Sequence, residues 1–151
     1  MVDKNIKLIT EAAEELLKQI GIDGKIKVSE KDEAFTVKIE TEDSGVLIGY
    51  HGETLSGFQL ILSLILYKQL GSWLKILVDV GDYREKQEEI LQQTALSAAE
   101  KVIATSQPVE LYELSSFERR IVHLALVDHP QVMSESVGEG RERKLVVKLK
   151  Q

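Results

Sequence analysis

Gly45-Val-Leu-Ile-Gly-Tyr-His-Gly-Glu-Thr-Leu55 is the stretch whose reading decides the fold. It joins an alternating strand pattern to a long apolar helix. Gly49 and Gly52 stand three apart where that helix opens. Without a Cβ the backbone there can approach another group closely, and positive φ costs little. The unpaired N–H groups of a helix start favour an anion in such a gap, and a sugar-phosphate chain is the obvious candidate. A tetrapeptide of this kind is weak evidence alone, so the flanking elements carry the decision.

Upstream, Ile6, Ile9, Ala13, Leu16, Leu17 and Ile20 recur at helical spacing, and Gly21 follows as a C-cap. After the Asp23-Gly24 turn, Ile26 and Val28 alternate with lysines as a strand. A polar turn over Glu30–Glu33 leads to a second strand, with Phe35, Val37 and Ile39 on one face, and the two form a hairpin. Downstream, Leu55, Phe58, Leu62 and Ile65 line one face of a helix, and Ile61, Leu64 and Leu66 widen it. Such a helix is expected to be buried on more than one side. Gly71 ends it, and Trp73–Val80 is a third strand. Residues 1–80 are thus expected to form one α+β unit, helices on a three-stranded sheet.

Residues 82–151 are expected to form a second, small α+β unit packed next to the first. Asp82 with Glu85 is a capping-box start. Ile90, Leu91, Ala95, Ala98, Val102 and Ile103 make the apolar stripe of that helix. Val109–Leu111 is a short strand. Ser115, with Glu118 three residues on, caps a helix running to about Asp128, and Pro130 stops it. Val132–Val137, a turn at Gly138-Glu-Gly140, and a strand carrying Leu145, Val147 and Leu149 complete the chain.

The 151 residues carry 43% apolar side chains, enough for a real core. The absence of cysteine excludes disulfides, thiolate catalysis and cysteine-ligated zinc, and fits a reducing compartment. No signal peptide is expected, and the apolar run Leu60–Leu66 is too short to span a bilayer. A net charge of −6 argues against strong non-specific nucleic-acid binding. The charge is uneven: residues 1–114 hold 12 Lys and Arg against 20 Asp and Glu, whereas residues 115–151 hold 7 against 5. A polyanion is therefore expected near the C-terminus.

The order of elements, with Ile48-Gly49-Tyr50-His51-Gly52 between the second strand and the long helix, resembles a type II KH domain over residues 1–80. KH domains grip single-stranded nucleic acid through that loop. The resemblance implies Gly49, Tyr50, His51 and Gly52 on the strand path, with Ile48 and Leu55 lining the groove. Binding loops of this family commonly carry a basic residue between the glycines. Tyr50-His51 brings no full charge, and Glu53 competes for the anion site. A weak phosphate grip is expected.

Phe117-Glu-Arg-Arg-Ile-Val-His123 places Arg119 and His123 on one helical face, with Arg120 beside them. Phe117, Ile121 and Leu124 are expected to point into the core. With Pro108-Val-Glu-Leu111 before the helix and Ser134-Glu-Ser-Val-Gly-Glu-Gly140 after it, this resembles an R-three-H domain over roughly residues 82–150. Arg119, Arg120 and His123 would contact phosphate and base, helped by Arg141, Arg143 and Lys144. A KH domain followed directly by an R-three-H domain is the layout of the Jag family, the SpoIIIJ-associated proteins of bacteria, and the chain is identified as a member. That membership implies a cytoplasmic, single-stranded RNA-binding protein, with single-stranded DNA a second ligand, linked to envelope growth and division. A small single-KH protein and a homodimer are the protein partners it suggests.

No enzyme is expected, because no acid, base and nucleophile converge. Ser115, Ser116, Glu118 and His123 lack a nucleophile elbow, so the serines read as a helix cap. His51, His123 and His129 lack metal-ligand spacing; no metal and no cofactor are expected. Asp79, Asp82, Glu85, Glu88 and Glu89 read as a solvated acidic face. The alternative function is a protein-interaction scaffold, in which the KH half has lost nucleic-acid binding and docks or dimerises through its apolar surface.

Overall fold

Helix α1 (Val2–Gln19) buries Ile9, Ala12, Ala13 and Leu17 on a single stripe. Gly21, with φ +76°, turns the chain out after it, as a C′ glycine does. Strands β1 (Lys25–Lys31) and β2 (Ala34–Glu40) pair antiparallel, Lys31 opposite Ala34. The turn is therefore Asp32-Glu33 alone, tighter than expected, with both residues at positive φ. That backbone suits the right-handed twist of a two-residue hairpin.

A short helix α2 (Ser44–Ile48) precedes the glycine loop, and α3 (Glu53–Leu70) follows it. Strand β3 (Lys75–Val80) then lies parallel to β2, giving the order β1-β2-β3. One core joins Ile9, Ala13 and Leu17 to Phe35, Val37 and Ile39, to Leu55, Phe58, Leu62 and Leu66, and to Ile76, Val78 and Val80. Helix α3 departs from expectation. It buries only Leu55, Phe58, Leu62 and Leu66, while Leu60, Ile61 and Leu64 stay exposed. A three-stranded sheet flanked by α1 supplies apolar cover along one side of α3 and nothing along the other.

The open edge of β3 is closed by side chains. Val78 N–H donates to Gln59 Oε1 at 2.9 Å, and Arg84 Nε and Nη2 donate to the Val78 carbonyl at 3.0 and 2.8 Å. These bonds stand where a neighbouring strand's would. Asp79, expected on a solvated acidic face, is buried and accepts from the N–H groups of Val80 and Arg84. Burial pushes the Arg84 guanidinium below its usual range, against the opposing pull of Asp79 and Tyr83.

The computed structural model describes all 151 residues, which divide into units Met1–Arg84 and Glu85–Gln151. Helix α4 (Tyr83–Thr105) buries Leu91, Ala95, Ala98, Ala99 and Val102. Ile90 and Ile103, expected in that stripe, flank it and are exposed. Strand β4 (Val109–Leu111), helix α5 (Ser116–Leu126), strand β5 (Val132–Val137) and strand β6 (Lys144–Leu149) complete the second unit. Its sheet is antiparallel, in the order β4-β6-β5. Val122, Leu126, Val132, Leu145 and Val147 close its core against α4. No helix is long and apolar enough to cross a membrane.

Candidate nucleic-acid interface

Ser115 opens α5 as its spacing to Glu118 predicts. Its Oγ accepts from Glu118 N–H at 3.2 Å, and Glu118 Oε2 accepts from Ser115 N–H at 3.0 Å. This reciprocal box satisfies two helix-start donors. The serines thus have a capping role. Glu118 itself is only 1% exposed, and it also accepts from Gln87 Nε2 at 3.3 Å. Its burial rotates the core face of the helix away from expectation. Phe117 and Leu124 are 49% and 57% exposed, and the buried positions are Glu118, Val122 and Leu126. A carboxylate whose oxygens are bonded can leave water, so the buried stripe starts at a charged residue that sequence reading assigns to solvent.

With Glu118 inward, Arg119 and His123 stack one turn apart on the flank of α5 that overlooks β5. There Ser134 and Ser136, two apart on one strand face, point at them. His123 Nδ1 lies 2.7 Å from Ser134 Oγ, and Arg143 Nε donates to Ser136 Oγ at 2.7 Å. Arg119 folds back to the helix start, where Nη1 donates to the Leu114 carbonyl at 2.5 Å and Nη2 to Ser116 Oγ at 3.2 Å. Arg119, Arg120, His123 and Arg143, with Ser116, Ser134, Ser136 and Leu145, line a cleft of about 390 Å³. No carboxylate is among these lining residues, and no ion pair engages the three arginines. In a chain of net charge −6 this is a local concentration of cations held open to solvent.

Two of the expected helpers do not join it. Arg141 lies in a 3-10 turn (Gly140–Glu142), exposed and apart from the lining. Lys144 follows Arg143 by one residue, and the strand alternation turns it to the other sheet face. There its Nζ bonds Glu110 Oε1 at 2.8 Å, and the Tyr112 hydroxyl donates to the same carboxylate. That hydrogen bond holds the Glu110 carboxyl below its usual range and raises the Lys144 ammonium above its own. Conversely, Ser134 and Ser136 are absent from the set of site residues that the sequence suggests. Their i, i+2 spacing on a strand facing a helix with a projecting Arg and His is the signal that marks them.

In the first unit the glycines turn inward. Gly49 has φ +72° and ψ −172°, and a Cβ there would meet Thr54, 2.7 Å from its Cβ and 3.0 Å from its N. Gly52 is buried at φ +77°, and a Cβ there would sit 3.3 Å from the Tyr83 hydroxyl. Both close approaches are within the unit. Between them His51 adopts φ +51°, and Tyr50 and His51 meet edge to face, 4.3 Å between ring centroids. Tyr50 is largely exposed and Ile48 half-buried. Leu55, expected to line a groove, is 1% exposed and belongs to the core. Its spacing to Phe58 and Leu62 puts it on the buried stripe of α3.

The comparisons agree with this architecture. Residues 7–78 match the model described as KhpA/KhpB, KH domain, and residues 89–149 match that of the R-three-H domain. The chain is 30% identical over 148 residues to the RNA-binding protein KhpB of Clostridium symbiosum, covering 98% of this chain and 66% of that one. It is 34% identical over 131 residues to KhpB of Bacillus subtilis, covering 84% and 63%. Against KhpB of Lactiplantibacillus plantarum the figures are 31% over 135 residues, 89% and 42%. The chain therefore spans just under two thirds, or less, of the length of these relatives. A KH domain of the KhpA/KhpB type followed by an R-three-H domain, matched along nearly all of its length by these relatives, places this chain in the Jag family.

Proposed function

We propose that this protein binds single-stranded RNA without catalysing a reaction, chiefly through the cleft of Arg119, Arg120, His123 and Arg143. One observation carries the reading: three guanidinium groups and an imidazole converge on one cleft whose lining includes no carboxylate. Phosphate oxygens accept from such forked donors, and a base can stack on a guanidinium plane or an imidazole. The names of the relatives, RNA-binding proteins, point the same way. The loop Gly49–Gly52 guides the strand, with Tyr50 as an exposed stacking surface. Arg141 and Lys144 are left out of the contact set.

The test is titration of a fluorescent single-stranded RNA at several salt concentrations. For single strands the logarithmic salt slope is about −0.7 per phosphate neutralised, so four cations give about −2 to −3. Arg120→Ala and Arg143→Ala, both exposed positions, should each weaken binding about tenfold and flatten the slope. Arg119→Ala with His123→Ala should cost more than Tyr50→Ala with His51→Ala, and Lys144→Ala should leave affinity within twofold. Affinity indifferent to salt and to the three arginines would sink the reading. A matched single-stranded DNA measures the preference for RNA.

The exposed apolar side of α3 favours a second, compatible activity. Leu60, Ile61, Leu64 and Tyr67 face solvent, and Trp73 stacks on Tyr67 at 4.4 Å. We propose that this face docks another KH unit, in a second copy or in a small single-KH protein. Light scattering of the protein with and without Ile61→Glu decides it: a monomer in both, with no complex formed on adding a single-KH protein, refutes docking.

A further inference from the structure

We propose that Ser134 is a positioning residue whose hydroxyl keeps the proton of His123 on Nε2, the ring nitrogen left to the ligand. The inference rests on the cleft reading above. Ser134 is nearly buried on β5, and its Oγ lies 2.7 Å from His123 Nδ1. Nε2 has no protein partner, and His123 itself is exposed to the cleft. A hydroxyl can both donate and accept. Opposite a neutral imidazole it donates to Nδ1, which leaves the ring hydrogen on Nε2. Opposite an imidazolium it accepts from Nδ1–H, and Nε2 again carries hydrogen. In both protonation states the cleft therefore presents a donor to a phosphate oxygen. The charged groups facing this ring are Arg119 and Arg120 from its own helix and Arg143 from the start of β6; no carboxylate lines the cleft to select the other arrangement.

Alanine at 134 removes that selection. Nδ1–H then becomes allowed, and Nε2 turns into an acceptor that repels phosphate. Ser136 plays the parallel part for Arg143: its Oγ takes Nε–H at 2.7 Å and leaves the two terminal NH₂ groups of the fork for the ligand. The serine pair at i, i+2 thus aims one imidazole and one guanidinium from a single strand face.

The experiment uses the whole protein. Nitrogen-15 shifts of the His123 ring are recorded at pH 8 in wild type, Ser134→Ala and Ser134→Thr, without RNA. Affinity for a single-stranded RNA is measured in parallel. Wild type and Ser134→Thr should show the Nε2–H tautomer alone, Ser134→Ala a mixture. Ser134→Ala should bind about three- to tenfold more weakly at unchanged melting temperature, and threonine should restore binding. An unchanged tautomer in Ser134→Ala overturns the proposal, as does restored tautomer without restored affinity. Should Arg120→Ala and Arg143→Ala leave RNA binding intact, the cleft reading fails instead, and the ring shifts in the free protein still decide whether Ser134 holds the tautomer.

Discussion

Gly49→Ala should nearly unfold the first unit. The backbone at φ +72° and ψ −172° lies in a region open essentially to glycine alone, which costs a side chain about 1–3 kcal/mol. The new Cβ would also stand 2.7 Å from Thr54 Cβ and 3.0 Å from the Thr54 nitrogen. That nitrogen belongs to the first turn of α3 and cannot swing away, so overpacking adds about 1–3 kcal/mol. Together this is about 2–6 kcal/mol against a total stability of about 5–15 kcal/mol. Gly52→Ala meets a left-handed backbone at φ +77°, costing about 1–2 kcal/mol, and the far end of Tyr83, which can give way. Gly45→Ala sits in α2 with nothing within 4 Å and should stabilise by up to about 1 kcal/mol. Trp73 is the sole tryptophan and lies in the first unit, so its fluorescence in urea reports that unit. With a urea slope of about 1 kcal/mol/M, the midpoint should fall by about 2 M or more for Gly49→Ala and by about 1–2 M for Gly52→Ala. A Gly49→Ala midpoint within about 0.3 M of wild type would refute the steric argument. The consequence reaches function: a loss of RNA affinity in Gly49→Ala reports a collapsed loop, not a lost phosphate contact.

Arg84→Met should lower the same Trp73 midpoint, because the Val78 carbonyl loses both donors at the sheet edge; an unpaired group there costs about 1–3 kcal/mol. An unchanged midpoint would mean that solvent satisfies this edge. Glu118→Ala removes the buried half of the capping box and strands Ser115 N–H and Gln87, and should cost about 2–4 kcal/mol in thermal unfolding of the second unit, more than Ser115→Ala at about 1 kcal/mol. The reverse order would show that Glu118 is dispensable to the core. Glu110 has its carboxyl held down by the Lys144 hydrogen bond, so its contribution to stability is present above the ordinary carboxylate range and is lost as pH falls through the lowered value. The melting-temperature gap between wild type and Glu110→Gln should therefore be widest at neutral pH and close in acid. A gap independent of pH would contradict the assignment.

Much of the fold is legible because each local signal has a single tertiary use. The alternation of Phe35, Val37 and Ile39, the stripe of Ile9, Ala13 and Leu17, and the Ser115-x-x-Glu118 box each act within one element. Legibility fails where a side chain answers to a partner far along the chain. Glu118 reads as solvated until Gln87 meets it, and Asp79 until the N–H of Arg84 does. Leu60, Ile61 and Leu64 read as core until the sheet proves to cover only one side of α3.

The site divides in the same way. Arg119 and His123 are marked by helical spacing, which needs no other element. Sequence by itself thus determined the two α+β units, their element order and the Arg-x3-His face, because periodicities of 3.6 and 2 are properties of the backbone. Only the tertiary structure decided which cations act together. Pairing β5 with β6 turns Ser134, Ser136 and Leu145 toward α5 with Arg143 and sends Lys144 to the opposite face, and that sorting depends on strand register, which no local pattern records.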